Sequence, residues 1–451
     1  MTWNGTKALV VGMRKSGLAS VSLLARQGAT VTATDLKALE ELDAAGPLLE
    51  RLGVPFARQS AEVFHGRDLI VLSPDVPADL PPLAEARRRG AKVIGEVELA
   101  APFLKGRTIG ITGSNGKTTT TSLIGHILRE AGLPVQVGGN IGTPVTAMLD
   151  SSRDDGWNVL ELSSFQLETI AAFRADIGLA LNVTQNHLDR HHTFENYAAA
   201  KGRLFETMRA GDLAVLNAAD PVCVGYAERT AAKVEWFSSV GQAILSPANL
   251  SAALCDGNLI LHGQPLMPAA EVPIRGRHNL ENVLAASLAA AAAGLMHQAI
   301  AAAVRTFRAV EHRLEFVRNV SGVDFYNDSK ATSVDATLKA VDAFPGNLWV
   351  ILGGKDKGLD YAALREPLTA KAHAALLIGA AAPKIAAQLA GAVRLIDAQT
   401  LDQAVALAYA EAQPGDTVLL APACASFDQF RSYEHRGEVF KQFVNQLQPR
   451  T

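Results

Sequence analysis

Short apolar runs, each closed by glycine or a polar residue and followed by a stretch with helical spacing, recur along the chain. Lys7-Ala-Leu-Val-Val-Gly12 is the first, residues 16–27 carry helical spacing, and Thr30-Val-Thr-Ala-Thr-Asp35 is a second strand that ends in a carboxylate. Asp68-Leu-Ile-Val-Leu-Ser-Pro74 and Ala91-Lys-Val-Ile94 add further strands. Unbroken apolar strands separated by helices belong to parallel sheets covered on both faces, so the first hundred residues predict a small doubly wound βα unit.

A second unit opens at Arg107-Thr-Ile-Gly-Ile-Thr112, with Pro102 and Gly106 as linker punctuation. It continues through strands at 159–162, 177–182 and 213–217 and closes on an alanine-rich helix pair over about 280–307. A third βα series starts near Arg313, with strands at 348–352, 374–378 and 417–421. The expected architecture is α/β: three consecutive domains, 1–100, 101–307 and 308–451, the outer two Rossmann-like and the central one built on a mostly parallel sheet. A length of 451 residues suits three domains better than one.

Composition narrows the function classes. With 48% hydrophobic and 19% charged residues, the chain reads as packed and globular. Its 42 basic and 45 acidic residues leave a net charge of −3, so no global field exists to hold nucleic acid or an anionic membrane. Cys223, Cys255 and Cys424 are odd in number and far apart, which makes neither a disulfide framework nor a zinc site. Residues 1–10 lack a basic segment leading into an apolar one, so no signal peptide is read and a cytoplasmic location is expected. The uncharged run 283–304 is mostly alanine, carries His297 and Gln298, and has Gly294 where a helix would stop; two short buried helices are expected, and no membrane span.

Thr112-Gly-Ser-Asn-Gly-Lys-Thr-Thr119 lies between a strand and a helix. Glycine-turn amides at a helix N-terminus suit phosphate oxygens, a lysine reaches the terminal phosphates, and the next hydroxyl can hold Mg²⁺. The strict pattern would place glycine at Ile111, so this is a shortened variant, and it predicts ATP or GTP binding. Gly12-Met-Arg-Lys-Ser-Gly17 competes as a dinucleotide fingerprint, but Arg14 occupies its middle glycine and would crowd a pyrophosphate. With Asp35 about twenty residues on, it reads better as a turn for some nucleotide diphosphate.

Glu161 ends a strand on the side where open α/β sheets bind ligands, placed to hold Mg²⁺. His187, His191 and His192 could suggest zinc, but without the HExxH arrangement His187 alone remains a candidate hard-metal contact. Lys201, in Tyr197-Ala-Ala-Ala-Lys-Gly-Arg, reads by composition as a surface lysine. Asn279 and Asn282 share one helix turn, where they could grip an adenine edge or cap the helix; spacing favours the cap. In the third unit Arg313, Lys330, Lys355 and Lys357 are expected around one mouth, suiting a dicarboxylate and a triphosphate tail.

Taken together the motifs resemble the ATP-dependent Mur ligases, which build the peptidoglycan stem peptide. The resemblance rests on the phosphate loop, Gly139-Asn-Ile-Gly142, Leu160-Glu-Leu-Ser-Ser-Phe-Gln-Leu-Glu168, Asn182-Val-Thr with His187-Leu-Asp-Arg, Asp328-Ser-Lys-Ala-Thr332 and Pro422-Ala-Cys-Ala-Ser-Phe-Asp-Gln-Phe430. The last stretch, with Tyr433 and Arg436-Gly437, is similar to the D-glutamate-adding branch, and the DNPR-type motif of diaminopimelate- or lysine-adding relatives is absent. In three places the chain departs from the family: Arg14 replaces a glycine, Asp75 follows Ser73-Pro74 where glycine is frequent, and Asn186 precedes His187 where an acid is common.

This resemblance implies addition of D-glutamate to UDP-N-acetylmuramoyl-L-alanine through an acyl phosphate, by a monomer using ATP and two Mg²⁺ ions. Lys117, His187, Lys201 and Lys330 would be catalytic. Gly113, Ser114, Asn115, Gly116, Lys117, Thr118, Thr119, Asn279, Asn282, Arg313, Asp328 and Lys330 would bind ATP. Thr118 and Glu161 would hold the first Mg²⁺, and His187 the second together with Lys201, which is carbamylated in this family. Ser16, Asp35, Leu36, Lys37 and Ser73 would line the UDP site, and Asn140, Ser163 and His187 would face the muramoyl part. Thr332, Lys357, Ser426, Phe427 and Tyr433 would take D-glutamate. Another ADP-forming amino-acid ligase, of the Mur or folylpolyglutamate synthase type, is the alternative.

Overall fold

A computed structural model describes residues 3–42, 44–240, 250–308 and 310–450. The first sheet has five parallel strands, β1 (Lys7–Val11), β2 (Thr30–Asp35), β3 (Phe56–Arg58), β4 (Leu69–Leu72) and β5 (Lys92–Gly95), in the order β3-β2-β1-β4-β5. Alternation splits β1 between two cores: Ala8 and Val10 pack on one face, Leu9 and Val11 on the other. The strand order reverses between β1 and β4, and the crevice at such a reversal is where open α/β sheets take ligands. Gly12 and Ser73 follow those two strands.

The second sheet has nine strands: β6 (Arg107–Thr112), β7 (Val135–Gly139), β8 (Trp157–Glu161), β9 (Ile177–Ala180), β10 (Leu213–Asn217), β11 (Lys233–Ser238), β12 (Leu250–Cys255), β13 (Asn258–Leu261) and β14 (Gln264–Pro268). Their order is β14-β13-β12-β11-β10-β9-β6-β8-β7, parallel except for the meander β12–β14. That meander turns through Asp256-Gly257 and His262-Gly263, two-residue loops in which all four residues have positive φ. Helices Arg277–Ala292 and His297–Thr306 follow, broken near Gly294 at φ 98°, as the alanine-rich run predicts.

The third sheet holds β15 (Glu315–Val320), β16 (Val323–Asn327), β17 (Leu348–Gly353), β18 (Ala372–Ile378), β19 (Arg394–Gln399) and β20 (Thr417–Leu420) in the order β15-β16-β20-β17-β18-β19. Only β15 runs antiparallel to its neighbour. Again cores lie on both faces. The chain forms two compact units, one built from residues up to Ala269 with Glu281–Arg305, the other from Ala270–Leu280 with the chain from Thr306 on. Among the described residues, no helix is long and apolar enough to cross a membrane.

Candidate functional site

The phosphate loop leaves the C-terminal end of β6, the strand between β8 and β9. Gly113 and Gly116 have φ of 149° and 84°, conformations that a side chain would strain, and a Cβ on Gly116 would lie 2.3 Å from Asn282 Oδ1. Segment 182–184, after β9, laces the loop in place. Ser114 N donates to Asn182 O at 2.8 Å, Asn115 N to Asn182 Oδ1 at 2.9 Å, and Thr184 N to Ser114 Oγ at 2.9 Å. Helix Lys117–Glu130 starts at Gly116, so its first N–H groups face the loop.

Two lysines converge on this loop. Lys117 Nζ donates to the carbonyls of Gly113 and Ser114 at 2.8 and 3.0 Å. Lys201 Nζ donates to the same Gly113 carbonyl at 2.9 Å and lies 4.6 Å from the Tyr197 ring centroid. The surface reading of Lys201 is therefore wrong: only 1% of it is exposed. Burial, and then the neighbouring Lys117 charge, push its amine well below the ordinary lysine value.

Glu161 ends β8 and is 2% exposed. Its two oxygens accept from Thr118 Oγ1 and Asn140 Nδ2, both at 2.8 Å, and among the described residues no cation lies within ion-pair distance. A buried carboxylate with lone pairs to spare beside a hydroxyl is a hard-oxygen donor set that fits Mg²⁺. Thr119 is buried in the same helix turn. Asn282 lies inside helix Arg277–Ala292 rather than at its cap, and its Oδ1 accepts from Thr120 Oγ1 at 3.2 Å. Asn279 donates to Arg275 O at 2.6 Å and belongs to the other compact unit.

His187 starts a short turn with φ 53°, and its ring lies 5.0 Å from that of Phe165. His191 Nε2 is 2.9 Å from Ser164 Oγ, and burial, with Arg190 and His187 nearby, holds its imidazole at about 4. His192 Nε2 instead meets Asp79 at 3.2 Å. The three rings thus serve different partners, and no zinc cluster forms from them among the described residues. Ser163 closes a capping box with Gln166 at the head of helix Ser164–Leu167.

In the first sheet, a cavity of about 400 Å³ opens at the strand-order reversal. Asp35, Leu36, Lys37 and Ser73 line it, with Gly12, Arg14 and Asp75. Ser16 lies in the first turn of helix Lys15–Arg26, outside that lining. Asp35 accepts from the N–H groups of Met13 at 2.7 Å and Lys37 at 3.0 Å, and Ser73 Oγ donates to Gly12 O at 2.8 Å.

In the second unit, Asp328 follows β16 and is buried; burial pushes its carboxyl up to about 7 against the pull of Arg313 and Lys330. Lys330 Nζ lies 5.2 Å from the Tyr433 ring, and Lys357 Nζ donates to Thr332 O at 3.4 Å. Lys355 N donates to Ala425 O at 2.8 Å, which ties the loop after β17 to the segment after β20. Ser426 is buried and Phe427 is exposed. Arg436, which sequence reasoning noted only as part of a motif, is wholly buried. It donates to Ser329 Oγ and O at 2.9 and 2.8 Å and to Cys424 O at 3.2 Å, with no carboxylate within 4 Å among the described residues.

Residues 6–95, 111–290 and 312–424 match the family models of the MurD-like N-terminal domain, the Mur ligase middle domain and the Mur ligase glutamate ligase domain. The UDP-N-acetylmuramoylalanine–D-glutamate ligase of Solibacter usitatus is 76% identical over 450 residues, 100% of each chain. This chain belongs to the Mur ligase family. The enzyme of the same name from Acidobacterium capsulatum is 53% identical, covering 98% of this chain and 97% of its own. Among solved structures, UDP-N-acetylmuramate–alanine ligase from Thermotoga maritima superposes with a TM-score of 0.60 at 18% identity, covering 98% of this chain and 99% of that one. The MurF ligase of the same organism, solved with ADP, gives 0.61 at 16%, covering 98% and 96%. Those two share the fold. As a Mur ligase, the protein is an ADP-forming amide ligase of peptidoglycan synthesis, and Mur ligases use ATP and Mg²⁺.

Proposed function

We propose that this Mur ligase couples D-glutamate to UDP-N-acetylmuramoyl-L-alanine. The observation that carries this is the 76% identity, over the whole of both chains, to an enzyme bearing that name. The reaction consumes ATP and releases ADP and phosphate. A carboxylate oxygen of the alanyl end attacks the γ-phosphorus, ADP leaves, and the acyl phosphate forms. The D-glutamate amine then attacks the acyl carbon, loses a proton, and phosphate departs as the amide bond closes.

Three stretches divide the work: 1–100 takes the UDP end at Ser16, Asp35, Leu36, Lys37 and Ser73, 101–307 takes most of the ATP, and 308–451 takes the amino acid and adds the remaining ATP contacts. Asn140 and Ser163 face the muramoyl part. Loop amides at 113–116 and Lys117 hold the phosphates, with Thr119, Asn279, Asn282, Arg313, Asp328 and Lys330 completing the ATP contacts. Stabilising charge on the transferring phosphoryl group is the main catalytic task here. Thr118 and Glu161 would hold one Mg²⁺, and His187 with a carbamylated Lys201 a second. When bound, the metal neutralises developing phosphate charge. Low amine basicity at Lys201 supports the carbamate: the neutral amine adds to CO₂, loses a proton and becomes an anionic oxygen ligand. Thr332, Lys357, Ser426, Phe427 and Tyr433 would bind D-glutamate. All these groups belong to one chain, so a monomer suffices, acting in the cytoplasm.

The deciding assay is phosphate release from ATP with UDP-N-acetylmuramoyl-L-alanine present, adding D-glutamate, L-glutamate, L-alanine or diaminopimelate in turn. Release that depends on D-glutamate is expected. Release that depends on another of these amino acids would overturn the assignment while leaving the ligase class intact.

A further inference from the structure

Resting on the reading that the UDP end of the substrate enters the first-sheet cavity, we propose that Arg14 is a specificity-determining residue that changes partner on binding. In the free protein it pairs with Asp75; in the complex it pairs with the substrate's diphosphate.

Arg14 has φ −82° and ψ −172°, an extended conformation open to any residue, so nothing in the turn demands glycine there. Its side chain, 80% exposed, crosses the cavity lining to Asp75, 64% exposed, at 2.6 Å. The crowding expected from an arginine in this turn is thereby avoided in the free state. The charged residues of the lining are Arg14 and Lys37 against Asp35 and Asp75, which cancel. An anionic ligand is attracted only once one acid gives up its cation.

Asp35 is not that acid. Its oxygens accept from the Met13 and Lys37 amides and hold the turn together. Asp75 is the acid that can let go without breaking a backbone hydrogen bond. The backbone around it is pinned: Val76 N donates to Ser73 O at 3.0 Å, and Arg190 Nη2 donates to Val76 O at 2.8 Å. The exchange therefore needs rotation of two side chains only. An exposed ion pair is weak, whereas a guanidinium on a diphosphate gains two parallel charge-assisted hydrogen bonds, so the swap runs downhill. Asp75 acts as an internal competitor that lowers affinity for ligands unable to outbid it.

The test compares KM for UDP-N-acetylmuramoyl-L-alanine in R14A, D75N and the double variant, with KM for ATP as the internal reference. R14A is expected to raise the first KM about tenfold, the size of one lost charge-assisted contact, and D75N to lower it severalfold. In the double variant the D75N gain should vanish, because the two act as one unit. A third variant, L36E, puts an acid on an exposed position of the same lining and should raise that KM if the nucleotide binds there. If L36E raises it but R14A does not, or if D75N weakens binding, the exchange is refuted and the site assignment stands. If none of the three moves it, the cavity is not the nucleotide site and both ideas fall.

Discussion

Replacing Glu96 by glutamine should remove a block of pH-dependent instability. Glu96 opens helix Glu96–Ala100 with 2% exposure. One oxygen accepts from Thr146 N and Oγ1 at 2.5 and 2.8 Å; the other has no hydrogen-bond partner. Burial pushes the carboxyl from 4.5 up to about 7, with the Thr146 bonds pulling the other way. A carboxyl raised in this manner binds its proton more tightly in the folded state. Its stabilising share is complete below pH 4.5, shrinks as pH rises, and is gone above 7. At 1.36 kcal/mol per pH unit the interval amounts to about 3 kcal/mol. His191 and His278, both held near 4 by burial, act with the opposite sign over pH 4 to 6.5, and Asp328 acts like Glu96, so only the difference between variant and wild type isolates the effect. Urea unfolding of both proteins at half-unit steps from pH 4 to 8 gives that difference. E96Q should gain progressively on wild type and lead by about 3 kcal/mol at pH 8. Difference values that stay flat between pH 4.5 and 7.5 would mean that Glu96 is ionised in the folded protein, and the reasoning fails.

Other expectations follow from single contacts. K201A should abolish ligation, with short carboxylic acids partly restoring it; unchanged turnover in an ADP-release assay would remove Lys201 from the mechanism. A Cβ on Gly17 would lie 1.7 Å from Gly12 O, so G17A should force open the turn under the nucleotide cavity and raise KM for the UDP substrate at least about tenfold, with a lower melting temperature. Of three thiols only Cys255 is exposed, so one equivalent should react with a thiol reagent in the native state. Asp256 raises its pKa, so the rate should climb steeply with pH; prompt reaction of all three would contradict the burial of Cys223 and Cys424.

What the sequence made legible was what depends on short range. The apolar runs mark the parallel strands because both faces of each sheet are covered, and Glu161 stands out because a strand ends on it. β3, three residues with little burial, leaves no such run. The meander β12–β14 escaped notice although Asp256-Gly257 is a hairpin signal; the next turn, His262-Gly263, carries a weaker one. Composition placed Lys201 on the surface, and only the family resemblance pointed to a metal role. The carbonyl that accepts its hydrogen bond lies 88 residues away, and only tertiary packing reveals that an alanine-flanked lysine points inward. Arg436 is hidden for the same reason, since its partners Ser329 and Cys424 meet only when the ends of β16 and β20 come together.

The division of the chain bears on how this protein can be cut. Its backbone passes between the two compact units three times, at Ala269–Ala270, Leu280–Glu281 and Arg305–Thr306. A C-terminal fragment begun at Thr306 would lose Arg275, whose guanidinium lies 5.2 Å from the Tyr326 ring and 5.7 Å from that of Phe344. One begun at Ala270 would keep that arginine but carry helix His297–Thr306, whose apolar face, with Ile300 and Val304, would be left without the unit it packs in. A recombinant fragment of either half therefore calls for a redesigned junction rather than a new start codon.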